Sequence, residues 1–92
     1  MLEKEVESYL VKRVKALGGV AYKFTSPAHR GVADRVVVLP GGAVWFVELK
    51  TEMGRLSPLQ DLFRKEINGL GGNYICLYGV KDVDRFLQGV GT

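Results

Sequence analysis

The chain has 92 residues, of which 47% are hydrophobic and 25% charged, the composition of one globular domain and not of a disordered polymer. Thirteen basic against ten acidic side chains leave a formal charge of +3, which permits a nucleic-acid partner without demanding one. One cysteine and one histidine exclude an internal disulfide and a structural zinc site; with no signal peptide and no run long enough to span a membrane, a cytoplasmic protein is expected.

Residues 2–17 read as an amphipathic helix. Leu2, Val6, Tyr9, Leu10, Val14 and Leu17 recur at three- and four-residue steps, and Gly18-Gly19 stops the helix. A short strand is expected over Val20–Phe24, then a loop over Thr25–Val32. Two apolar strands, Ala33–Leu39 and Ala43–Leu49, flank Pro40-Gly41-Gly42 and form a hairpin. Because both strands are apolar on both faces, they belong in the middle of a covered sheet. Ser57-Pro58 opens a second helix, with Leu59, Leu62, Phe63 and Ile67 as its buried stripe. A last strand over Tyr74–Tyr78 and a closing helix over Val80–Leu87 complete the order α-β-β-β-α-β-α, an α/β domain. So short a chain buries only about 60–65% of its unfolded surface, so a partner subunit is a live expectation.

Charged groups on the apolar hairpin carry the chemistry. With a three-residue loop, Leu39 faces Ala43, and the same register sets Asp34 opposite Glu48 with Cβ atoms ~4.5–5.5 Å apart. Lys50, two residues beyond Glu48, shares their face. Two carboxylates so placed repel, and a divalent cation such as Mg²⁺ removes the conflict while leaving room for phosphate oxygens. A salt bridge of Lys50 with Glu48 or Asp34, with Arg35 as another partner, explains the bare pattern better, because the pattern is short and common. Glu3 and Glu7 lie on one strip of the first helix, where acids complement the helix dipole or supply a third carboxylate. Lys23, His29 and Arg30 are candidate phosphate contacts. Ser57 and Gln60 form an S-x-x-Q capping box. Cys76 and Trp45 read as packing residues.

The run Gly31-Val-Ala-Asp34-Arg35, then Glu48-Leu-Lys50, then Ser57-Pro-Leu-Gln60 resembles the VRR-NUC domain of the PD-(D/E)XK nuclease superfamily, over nearly the whole chain. One departure is Ala33, where the family usually has proline, a residue that provides no ligand. The resemblance implies a restriction-endonuclease-like αβββαβ(α) core, a central mixed sheet flanked by helices. It also implies a DNA endonuclease dependent on Mg²⁺ or Mn²⁺. Asp34, Glu48 and the backbone carbonyl of Leu49 would hold the metal, and Lys50 would serve the attacking water. Glu7 is the best match for the family's helix-one glutamate, with Glu3 in reserve. Gln60 matches a glutamine near the site. Lys23, His29, Arg30 and Arg35 are then expected on DNA phosphates. Stand-alone members resemble Holliday-junction resolvases, which implies a homodimer acting on branched DNA. The alternatives are a flap- or duplex-cleaving nuclease and a non-catalytic DNA-binding subunit with a nuclease fold.

Overall fold

The computed structural model of the protein describes residues 1–90. Helix α1 spans Glu3–Ala16, and Glu5 turns back to accept from the Leu2 amide at 2.8 Å. Its buried line is Val6, Leu10 and Val14, the centre of the expected stripe, while Leu2 and Leu17 at the ends stay exposed. Strands β1 (Val20–Lys23), β2 (Arg35–Val38) and β3 (Val44–Lys50) follow, then α2 (Pro58–Gly69), β4 (Tyr74–Tyr78) and α3 (Gly79–Val90).

The sheet order is β1-β2-β3-β4, antiparallel across the first two junctions and parallel between β3 and β4. A mixed sheet results because direct loops, long between β1 and β2 and short between β2 and β3, join antiparallel neighbours, whereas α2 crosses over to bring β4 back in the same direction. In the β2–β3 hairpin Arg35 pairs with Val47 and Val36 with Phe46, the register a three-residue loop requires. Gly41 and Gly42 turn that loop at φ of 94° and 90°, a region that other residues rarely enter.

The two faces of the sheet are covered unequally. One carries Val37, Val47, Leu49 and Leu77 into a closed core with Val6, Leu10 and Val14 of α1 and Val83, Phe86 and Leu87 of α3. Trp45 packs there at an edge-to-face distance of 5.1 Å from Phe86. The other face meets only α2, through Phe63, whose ring lies 5.7 Å from Phe46, 6.2 Å from Phe24 and 6.0 Å from Tyr74. The expected buried stripe of α2 is therefore corrected: no residue of that helix is fully buried, and Leu59 and Leu62 remain 44% and 53% exposed. A lone helix on a sheet face has no second helix to close over its flanks.

Candidate functional site: a carboxylate cluster at the end of the hairpin

Strand β2 begins at Arg35, one residue after Asp34, and the side chain of Asp34 explains the boundary. Its Oδ2 accepts from the backbone N–H of Leu49 at 2.9 Å, occupying the donor that a longer ladder would have used. Asp34 is thereby held beside β3. Glu48 is 1% exposed and projects from β3 toward the α2 side, since neighbouring Leu49 enters the opposite core. The Glu48 Oε2 atom accepts from Gln60 Nε2 at 3.1 Å and lies 3.7 Å from Lys50 Nζ. Its Oε1 atom is buried with no hydrogen-bond partner.

Glu3 completes the cluster. One carboxylate oxygen from each of Glu3, Asp34 and Glu48 lies within 4.8 Å of the others. Helix α1 lies across the opposite sheet face, but Glu3 is its first residue and stands where the chain reaches the Asp34–Glu48 end of the sheet. Glu7, one turn later, is placed elsewhere. It accepts from Arg35 Nε at 2.7 Å and from Lys23 Nζ at 3.0 Å, both on the α1 side of the sheet. Burial raises the Glu7 carboxyl, but these two cations outweigh it and hold the group below its ordinary range. The structure thus brings the reserve residue Glu3, and not Glu7, up to Asp34 and Glu48. Alternation decides it: Asp34 and Glu48 share one face, whereas Arg35 and Lys23 face the helix and capture Glu7.

Electrostatics mark Glu48 as the strained member. Burial first, and then the charge of Asp34, push its carboxyl up to about 8, while Lys50 pulls the other way. An isolated buried carboxylate would take a proton; a cation among the oxygens lets it stay charged. The orphaned Oε1 and the three converging carboxylates fit a hard divalent cation, which takes oxygen ligands. No histidine or thiol belongs to the cluster, which suits Mg²⁺ or Mn²⁺ better than a soft metal.

Gln60 both caps α2 and reaches Glu48. Its Oε1 accepts from Ser57 N at 2.8 Å, and Ser57 Oγ accepts from Gln60 N at 3.2 Å, while the amide nitrogen turns to Glu48. The salt-bridge alternative for Lys50 is also realised in part, since the lysine contacts Glu48 within the carboxylate cluster. Of the expected phosphate contacts, Arg35 is committed to Glu7 and to the Ala21 carbonyl at 3.1 Å, and Lys23 to Glu7. His29 and Arg30 are exposed, and neither forms an ion pair within the described residues. Cys76 is half-buried, and burial pushes its thiol up to about 11, out of the range of a reactive thiolate. Sequence reasoning did not single out the half-exposed Leu59 and Leu62 beside this site; their helical spacing gave only a core signal.

No family model matches the chain. A protein of Acyrthosiphon pisum secondary endosymbiont phage 1 named "Putative nuclease p44" is 43% identical over 75 residues, 82% of this chain and 81% of that one. A solved structure described as "VRR_NUC domain" superposes with a TM-score of 0.90 at 31% identity, covering 96% of each chain. Identity at that level across almost the full length, on one fold, means that the chain belongs to the VRR_NUC domain family of nucleases.

Proposed function

We propose that the protein is a divalent-metal-dependent endonuclease that hydrolyses phosphodiester bonds in DNA, selective for branched structures such as Holliday junctions. The observation that carries the reading is the buried Glu48 Oε1, which has no hydrogen-bond partner and stands among three converging carboxylates. Asp34, Glu48 and Glu3 would hold Mg²⁺ or Mn²⁺. The Leu49 carbonyl is a further donor, since it leaves β3 on the same edge as the N–H that Asp34 takes. Once bound, such an ion supplies Lewis-acid charge at the phosphate and lowers the pKa of water.

The chain's own groups do the rest. Leu49 N–H holds Asp34, and Gln60 holds Glu48, so both carboxylates keep their aim without substrate. The Lys50 ammonium, 13% exposed and 3.7 Å from Glu48, would orient the attacking water and offset charge growing on the phosphoryl oxygens. The water oxygen would bond to phosphorus as the bridging P–O bond opposite it breaks, the water losing a proton to solvent and the departing sugar oxygen gaining one from solvent. His29 and Arg30 contact the backbone phosphates. A two-fold dimer would set two such sites against two strands of a junction.

The test is cleavage of four-way junctions, flaps and linear duplexes with Mg²⁺, with Mn²⁺ and with chelator. Junctions should be cut first, chelator should stop cutting, and Lys50→Ala should lower the rate by ~10²–10⁴-fold. Undiminished metal-dependent cutting by a folded Lys50→Ala variant sinks the mechanism, and equal cutting of duplex and junction sinks the selectivity.

A further inference from the structure

Beside the carboxylate cluster lies an open groove of about 540 Å³ between the β1–β2 loop and α2. Phe24, Val32, Leu59, Leu62 and Phe63 make its apolar surface, His29 and Arg30 stand on the loop side, and Glu66 lies on the helix side. Leu59 and Leu62 are 44% and 53% exposed, an uncommon use of two leucines on a helix that could have carried polar residues there. The wall is tightly built at one point: a Cβ on Gly31 would come within 2.5 Å of the Leu59 backbone, so loop and helix touch there.

The groove adjoins the site through its backbone. The Phe24 amide donates to the Asp34 carbonyl at 3.0 Å, and Leu59 immediately precedes Gln60, which donates to Glu48 at 3.1 Å. The groove and the carboxylates are thus joined by one backbone hydrogen bond and one step of sequence, near enough for one polymer strand to reach both. The lining suits an amphiphilic unit with a flat apolar body and an anionic link. Aromatic and aliphatic side chains offer the body a stacking surface, Arg30 offers the link a cation with no protein ion pair, and His29 adds a ring nitrogen. Glu66, on the helix side, disfavours an anion there and so orients the unit. A base inside a duplex already stacks on both faces; only an unpaired one can use such a surface.

We infer that this groove receives unpaired bases of the DNA strand next to the scissile phosphate, and so selects substrates with unpaired nucleotides at the branch. The inference rests on the nuclease reading for its polymer and deepens it by naming the feature recognised. It predicts a preference for branched DNA with unpaired nucleotides at the branch over the same DNA fully paired.

The experiment is metal-free fluorescence anisotropy on three labelled DNAs of one duplex sequence: blunt, with a four-nucleotide overhang, and with the same overhang made abasic. The intact protein should bind the base-bearing overhang on the order of tenfold more tightly than the abasic one. Leu62→Gln, checked by circular dichroism and solution mass, should abolish that difference, and Arg30→Ala should weaken both overhangs together. Equal binding of the base-bearing and abasic overhangs by the intact protein overturns the inference. So does a Leu62→Gln variant that keeps the difference. If Leu62→Gln instead turns a dimer into a monomer, the groove is a subunit interface and the inference falls. Base-dependent binding in a protein that cuts nothing with Mg²⁺ or Mn²⁺ upholds the groove and overturns the nuclease reading instead.

Discussion

At Gln60 one side chain serves two structures at once, accepting from the Ser57 amide at 2.8 Å and donating to Glu48 at 3.1 Å. Helix capping and carboxylate orientation are therefore coupled, since the same Gln60 side chain closes the start of α2 and donates to Glu48. The carboxyl it holds has a pKa raised from 4.5 to about 8, chiefly by burial. The sign of the linkage follows. Between these values the unfolded chain releases the proton while the folded chain keeps it, so stability falls as pH rises, by up to about 1.4 kcal/mol per pH unit. Below the lower value both states are protonated; above the upper one both are ionised and the loss is complete. Metal-free protein should therefore unfold at lower urea near about pH 9 than near about pH 6. Glu48→Gln should remove most of that dependence, and Mg²⁺ should restore the high-pH stability of the unmodified chain alone. A midpoint that rises with pH in the metal-free protein would contradict the assignment.

At the scale of elements, α1 is fastened to the sheet by the Glu7 contacts to Arg35 and Lys23 at 2.7 and 3.0 Å. Glu3 lies one turn away on the same helix and stands with Asp34 and Glu48. The two acids should separate in assay. Glu3→Gln should lower metal affinity, read by titration calorimetry with Mn²⁺. Glu7→Gln should act mainly on the fold, costing about 1.5–3 kcal/mol for the lost charged hydrogen bonds, with at most a ~10–100-fold indirect effect on metal affinity or activity. The reverse pattern would return Glu7 to the site. The β1–β2 loop is fastened to α2 in a different way. Gly31 has φ of 83°, and a Cβ there would meet Leu59 backbone at 2.5 Å. Gly31→Ala combines a backbone penalty of about 1–3 kcal/mol with that clash, and should lower the urea midpoint clearly. An unchanged midpoint would mean that the loop moves freely.

For the whole molecule, +3 is a modest charge for gripping DNA. Several of its cations are also spent internally, on Glu7, Glu48, Asp61, Asp82 and Asp84. A second copy would double both the cationic surface and the number of sites. Light scattering should give twice the monomer mass at micromolar concentration, and a monomer that still cuts junctions would remove the two-fold argument. Among the described residues, no helix is long and apolar enough to cross a membrane.

Much of this architecture was legible in the residues. The three-residue turn Pro40-Gly41-Gly42 dictated the hairpin register, and with it the approach of Asp34 to Glu48. Alternation put Lys50 on their face, and S-x-x-Q located the start of α2. These are local relations, set by backbone periods and turn geometry that act within about fifteen residues. What lay beyond them was the pairing of distant elements. Helical spacing places Glu3 and Glu7 on one strip, and only the docking of α1 shows which acid meets the carboxylates and which meets Arg35 and Lys23. The same limit applied to Leu59 and Leu62. Their spacing signals a buried stripe, and only the packed sheet, with a single helix on that face, leaves them lining a groove. By itself, then, the sequence determined the elements, the hairpin register and the acid–acid–lysine constellation, because each follows from short-range periodicity. Tertiary structure decided which carboxylate completes the cluster, which cations remain free and which apolar residues stay open to solvent, because those depend on how far-apart segments are packed.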